Sequence, residues 1–180
     1  MNTIQSVLEL AENLFAKEFT FEAKFQKYTI SAKDLGYRFE FDSSKRRFGC
    51  CWYTRKKITL SLAICKENLD KIETEIRNTI LHEIAHAFCI HVYGKFEGRG
   101  HGFNWESIAK QIGNSGERCY KKDNVTLVKS KYSLVCDTCG KVVPKHRKPK
   151  VKYACNECCN EHNNGRYSDK YVLRLVENDI

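Results

Sequence analysis

The sequence predicts an α+β chain in two parts: short strands and amphipathic helices over residues 1–125, then a small cysteine-rich subdomain over 126–180. Three observations carry this expectation. Aromatic and polar residues alternate between 37 and 62, a long helical pattern bearing two histidines one turn apart follows, and two Cys-x2-Cys pairs stand near the C-terminal end.

The chain has 180 residues, too few for two full-sized domains. Lys and Arg number 31 against 22 Asp and Glu, a net charge of +9 that favours an anionic partner. Hydrophobic residues make up 42%, which is enough for a core and excludes global disorder. No run approaches the roughly 18 uncharged apolar residues of a spanning helix, so no membrane partner is expected. Met1 to Lys17 carries Glu9 and Glu12 and has no basic start, apolar run and cleavage site, so an intracellular location is expected. In that setting the ten cysteines point to metal before disulfides.

Along the chain, Ile4, Val7, Leu8, Ala11, Leu14 and Phe15 recur at helical spacing and predict a packed helix over 3–17. Tyr37, Phe39 and Phe41 alternate with Arg38 and Glu40. With 47–53 and 57–62 they predict three strands joined by tight turns, a small antiparallel sheet. Asp70 and Glu73 form a capping box for a helix to about His91, with Ile72, Ile76, Ile80 and Ile84 down one side. Gly94 ends it, and Gly98, Gly100 and Gly102 mark a loop. A further helix is predicted from about Asn104 to Ile112, burying Trp105, Ile108 and Ala109.

The long helix contains His82-Glu83-Ile84-Ala85-His86. At about 100° per residue, residues four apart differ by only about 40° around the axis, so both imidazoles can reach one ion. Glu83 falls on the same flank, where it can address a water without binding the metal. A catalytic zinc takes three protein ligands and keeps a position open. His101 is the expected third ligand, because it follows a glycine-rich loop able to fold back; His91 is rotated about 140° off the metal face.

These residues, His82-Glu83-Ile84-Ala85-His86-Ala87-Phe88 and then His101-Gly102-Phe103-Asn104-Trp105, resemble the SprT-like zinc metalloprotease family, which includes Spartan and its relatives. Gly49-Cys50 ahead of Ile58-Thr59-Leu60-Ser61 is similar to the family's sheet leading into the metal helix. The resemblance implies a small zincin-type metalloprotease domain over 1–125, with His82, His86 and His101 holding zinc and Glu83 as catalytic acid/base. It also implies action on proteins held at DNA, notably proteins crosslinked to it, and hence a nuclear or otherwise DNA-associated location.

Cys136-x2-Cys139 and Cys155-x2-Cys158 are separated by fifteen intervening residues, the spacing of a four-thiolate structural zinc ribbon. Cys159 and His162 lie close enough that a shifted or Cys3His ligand set stays open. Two zinc ions per chain are therefore expected, one catalytic and one structural. Cys50, Cys51, Cys65, Cys89 and Cys119 lack a partner spacing and are expected as small buried hydrophobes or surface thiols.

Eight Lys and Arg against Asp137 alone occupy 129–152. Lys131, Tyr132, Lys145, Arg147, Lys148, Lys150, Lys152 and Tyr153 combine cations with rings, which suits single-stranded DNA or DNA with single-stranded character: cations track phosphates and rings stack on bases. The expected function is a zinc endopeptidase acting on DNA-bound proteins. The alternative is a non-catalytic basic zinc-ribbon module that binds nucleic acid, a role that gives no reason for a glutamate beside two ligands.

Overall fold

The computed structural model describes residues 2–118 and 123–179. The chain divides into two units, Met1–Val128 and Lys129–Ile180.

In the first unit, α1 (Ile4–Ala16) starts at Thr3, whose hydroxyl accepts from the Ser6 N–H, and buries Val7, Ala11, Leu14 and Phe15. A hairpin of β1 (Phe19–Ala23) and β2 (Gln26–Ile30) follows, which the sequence reading left unassigned. Phe19, Phe21 and Ala23 alternate inward on β1, and Lys24 and Phe25 both take positive φ in the two-residue turn. That twist suits a hairpin, but the turn lacks the Asn-Gly signal that would have marked it.

β3 (Arg38–Asp42), β4 (Gly49–Trp52) and β5 (Lys57–Ser61) form a sheet in the order β3-β5-β4. Here the expected antiparallel sheet is corrected. β4 pairs antiparallel with β5, but β3 runs parallel to it. The reason lies in β5, whose Ile58, Thr59, Leu60 and Ser61 are all buried and so take the centre with a neighbour on each side. Asp42 ties β3 to β5 and to the segment leading into β4: its Oδ2 accepts from Thr59 Oγ1 at 2.8 Å and from Arg47 Nη2 at 2.6 Å.

Ser61 caps α2 (Leu62–Glu67) by accepting from the Ile64 N–H at 3.0 Å. The expected capping box at Asp70 does not form. Leu69–Lys71 is a 3-10 turn and Ile72–Ile76 a wide π turn, neither with a side-chain cap, before α3 (Arg77–Tyr93) begins. Residues four apart drift about 40° per step on a straight α-helix, and the wider turn offsets that drift. Ile72, Ile76, Ile80 and Ile84 accordingly all stay buried.

α3 runs through the middle of the core, with α1, β4, β5 and α5 packed around it. Phe88 on α3 stacks on Phe21 at 5.3 Å between centroids, tying the hairpin to the helix. α4 (Lys95–Arg99) replaces part of the expected glycine loop and returns against α3, and α5 (Phe103–Gln111) buries Trp105, Ile108 and Ala109.

In the second unit, β6 (Tyr132–Val135) sits between β7 (Val142–Lys145) and β8 (Arg174–Glu177), all antiparallel, and α6 (Asn156–His162) follows Cys155. Its buried cluster consists of Cys136, Cys155, Cys158, Cys159 and Tyr171, with Ala154 and Leu173 against it. A core so small and so rich in cysteine needs a metal staple. Among the described residues no helix is long and apolar enough to cross a membrane.

Candidate metal centre and cleft

α3 presents His82 and His86 one turn apart, and the α4 return brings His101 to them. His101 Nε2 lies 3.1 Å from His86 Nε2 and 3.0 Å from His82 Nε2. His86 Nδ1 is 2.7 Å from the Gly98 carbonyl oxygen, which can only accept, so Nδ1 carries the proton. His82 bonds in the same way to the backbone carbonyl of Glu117. Both Nε2 atoms therefore present bare lone pairs to one point, where they repel unless a cation lies between. Donor atoms on a tetrahedral zinc with bonds of about 2.0–2.1 Å sit about 3.4 Å apart, so this set fits zinc.

Burial above all, then repulsion from His86 and His101, pushes His82 down to about 3. Burial likewise takes His86 down to about 4, against the opposing pull of the Gly98 carbonyl. Burial and the nearby Arg118 lower His101. Neutral imidazoles need shed no proton to bind a metal. Trp105 backs all three rings, with centroids 4.6 Å from His82, 5.2 Å from His86 and 4.6 Å from His101.

Glu83 is buried beside the triad, against the edge strand β4. Burial pushes its carboxyl up to about 8, while a hydrogen bond from the Cys51 backbone N–H and the charge of Arg47 act in the opposite direction. Gly49 makes room for it, since a Cβ there would lie 2.8 Å from Glu83 Oε1. His91 lies on the far side of the turn, as its spacing implied, and joins no ligand group among the described residues.

These groups line a cleft of about 580 Å³. Its walls include Arg46, Arg47, Arg99 and Arg118, which come from three separate segments, the short run Lys45-Arg46-Arg47 and the isolated Arg99 and Arg118. Cys50 and Cys51 also face it; burial raises both thiols, Cys51 to about 12. Cys65 and Cys89 are fully buried, and Cys119 lies outside the described residues.

In the second unit Cys136, Cys139, Cys155 and Cys158 converge, with all four sulfurs within 4.8 Å of one another. Cys136 Sγ is 3.7 Å from Cys158 Sγ, and Cys139 Sγ is 3.6 Å from Cys155 Sγ. These are far too long for disulfides and close to the edge of about 3.8 Å expected around zinc with bonds of about 2.3 Å. Gly140 at φ 73° closes the first knuckle, donating to the Cys136 carbonyl at 2.9 Å. The Cys139 and Thr138 backbone N–H groups, against some penalty from burial, hold the Cys136 thiol well below its ordinary range. Cys159 and His162 stand outside the group: Cys159 is buried behind it, and His162 packs against Tyr171 at 5.8 Å.

Of the basic and aromatic residues, Arg147, Lys148, Lys150, Lys152 and Tyr153 are exposed, and Lys145 lies 4.8 Å over the Tyr153 ring. Tyr132 is half-buried in β6, while Lys131 pairs with Glu177 at 3.5 Å.

The three histidines and the four cysteines are each a group that could hold a metal ion, and the histidine triad suggests a metalloprotease-like enzyme. No curated protein and no solved structure matches the chain. The profile of the SprT-like family matches residues 8–126, which includes His82, Glu83, His86, His101 and the lining of the cleft apart from Leu127, and the chain belongs to the SprT-like family.

Proposed function

We propose that the chain is a zinc-dependent endopeptidase of the zincin type that cleaves proteins bound or crosslinked to DNA. The observation that carries this reading is the convergence of three Nε2 atoms beside a buried glutamate in an open cleft. His82, His86 and His101 would hold the catalytic zinc, which when bound supplies a Lewis acid and brings a water in its open position to a pKa near 7. A cation held by the triad would draw the buried Glu83 carboxyl back below about 8 and keep it ionised, so that Glu83 can take the proton of the attacking water and deliver it to the leaving amine. Gly98 and Glu117 keep the two helical imidazoles oriented through their carbonyls. Cys136, Cys139, Cys155 and Cys158 would hold a structural zinc with no position left for chemistry.

The DNA part of the reading is supported by the net charge of +9 and by the exposed Arg147, Lys148, Lys150, Lys152 and Tyr153, a stretch suited to single strands. It implies an intracellular, DNA-associated protein. The test is cleavage of a protein crosslinked to single-stranded DNA, and of the same protein free of DNA, by wild type and Glu83→Gln. Cleavage by wild type alone, and of the crosslinked form alone, is expected. Equal cleavage of both forms removes the DNA coupling, and full activity in Glu83→Gln overturns the mechanism.

A further inference from the structure

The walls of the cleft carry a charge that neither the metal centre nor Glu83 accounts for. Among the described residues, four arginines line it, and Glu117 is the only acidic side chain there besides Glu83. They are set apart by their surroundings. Arg47 is already engaged by Asp42, with Nη2 2.6 Å from Oδ2. Arg99 lies with its guanidinium 4.6 Å over the Tyr53 ring, a contact with the ring that involves no hydrogen-bond acceptor. Arg118 sits near enough to His101 to help lower its pKa.

Arg99 and Arg118 share one further property. Each directly follows a residue whose backbone carbonyl orients a triad histidine: Gly98 for His86 and Glu117 for His82. Both side chains line the same cleft as His82, His86 and His101.

We propose that the cleft selects extended peptide segments carrying Asp or Glu next to the bond placed over the metal centre, with Arg99 and Arg118 as the specificity-determining residues. This rests on the protease reading above and names the substrate of that same site. A carboxylate offers two oxygens to the fork of a guanidinium. The other features of the cleft suit a peptide better than a phosphodiester chain. β4 is a terminal strand of its sheet, and its Gly49, Cys50 and Cys51 line the cleft, where an extended backbone can pair along a strand edge. Ile90 and Leu127 add apolar wall for side chains. A nucleic-acid strand uses neither.

The test measures binding apart from cleavage. The probes are two labelled peptides of one length, one with Glu at four central positions and the other with Gln, titrated by fluorescence anisotropy against zinc-loaded full-length Glu83→Gln protein at physiological salt. The Glu peptide is expected to bind about five-fold or more tightly, which is what two exposed ion pairs can add. In Arg99→Gln/Arg118→Gln on the same background this preference collapses to near unity with both zinc ions retained, while in Lys148→Gln/Lys150→Gln it persists. Equal binding of the two peptides overturns the proposal. So does a preference that vanishes with the lysines and survives loss of the arginines, which would make it the general charge of the chain. If the arginine pair instead weakens binding of a single-stranded oligonucleotide and leaves peptide preference intact, the cleft reads phosphate and the proposal fails. Cleavage of the same two peptides by wild type is scored separately. A binding preference without cleavage counts against the protease reading alone, and cleavage of both at equal rates with equal binding counts against the acidic selectivity alone.

Discussion

His86 Nδ1 lies 2.7 Å from the carbonyl oxygen of Gly98, and that one bond joins the metal helix to the short helix that returns His101 to it. The contact depends on Gly98 having no side chain. A Cβ built there would lie 2.2 Å from Ile90 Cγ1, 2.6 Å from Ile90 N and 2.7 Å from Ile90 Cα. The two helices thus touch backbone to backbone at the point where a ligand is oriented.

Gly98→Ala is therefore expected to push α4 off α3 and take the carbonyl with it. Loss of such an orienting partner typically costs about 10- to 100-fold in metal affinity. Zinc competition with a chromogenic chelator would show the weaker of two sites shifting by that factor while the ribbon site stays put. Trimming Ile90 to Ala in addition should not restore affinity, because two of the three nearest atoms are backbone. A wild-type titration curve for Gly98→Ala would remove the carbonyl from the account of the site.

Gly49 plays the matching part for Glu83. A Cβ at Gly49 would lie 2.8 Å from Glu83 Oε1 and 2.9 Å from Thr79 Cγ2, so Gly49→Ala displaces the carboxylate without touching a ligand. Misplacing a reacting group by about 1 Å costs on the order of 100-fold in rate. The expected variant binds two zinc ions, melts close to wild type and has about one hundredth of its peptidase activity. Undiminished activity would show that Glu83 has slack in its seat.

How far the sequence led depends on whether the signal was local. The His82, Glu83 and His86 spacing and the two cysteine pairs are periodicities within one element, and the structure gathers each set. The stripe from Ile72 to Ile84 was legible for the same reason, but its entry was not, because an Asp70/Glu73 pair at cap spacing says nothing about a π turn that the tertiary core imposes. The parallel pairing of β3 with β5 is a long-range choice set by burial of β5, and the turn of the β1-β2 hairpin holds Lys24 and Phe25 where glycine or asparagine would have announced it. The arginines of the cleft carry no shared local signal, since only folding brings the run at Arg46 and Arg47 together with the isolated Arg99 and Arg118.

The cysteines separate into classes that a thiol label can read. Cys65 and Cys89 are fully buried, and burial lifts their thiols to about 12 and about 11. They should stay unlabelled at pH 8 whether or not metal is present, as the thiolate is the reactive form. Cys136, Cys139, Cys155 and Cys158 should be silent in the zinc-loaded protein and become labelled once a strong chelator strips the ribbon, which then loses its fold. Peptide mapping by mass spectrometry resolves the sites. Cys158→Ser should lose one zinc ion and Cys159→Ser should keep both; the reverse result would move the ligand one residue along.

Asn68 offers a test of the first unit alone. It is fully buried, and its Nδ2 donates at 2.8 Å both to the Ile64 carbonyl at the end of α2 and to the Thr126 carbonyl. Its Oδ1 accepts from the Thr126 N–H at 2.8 Å. One side chain thereby satisfies three backbone groups and pins the strand of chain that carries Val125 into the core. Asn68→Ala leaves those groups without partners, at about 1–3 kcal/mol. In a unit of this size that is a fall in Tm of several degrees, on the order of 2–4 °C per kcal/mol. Asn68→Asp should be worse, since it keeps the acceptor, loses both donors and adds a buried charge. The two tryptophans of the chain, Trp52 and Trp105, both lie in the first unit, so their fluorescence follows its unfolding without interference from the ribbon. A melting curve for Asn68→Ala within a degree of wild type would mean that water takes over all three bonds and that Asn68 holds nothing in place.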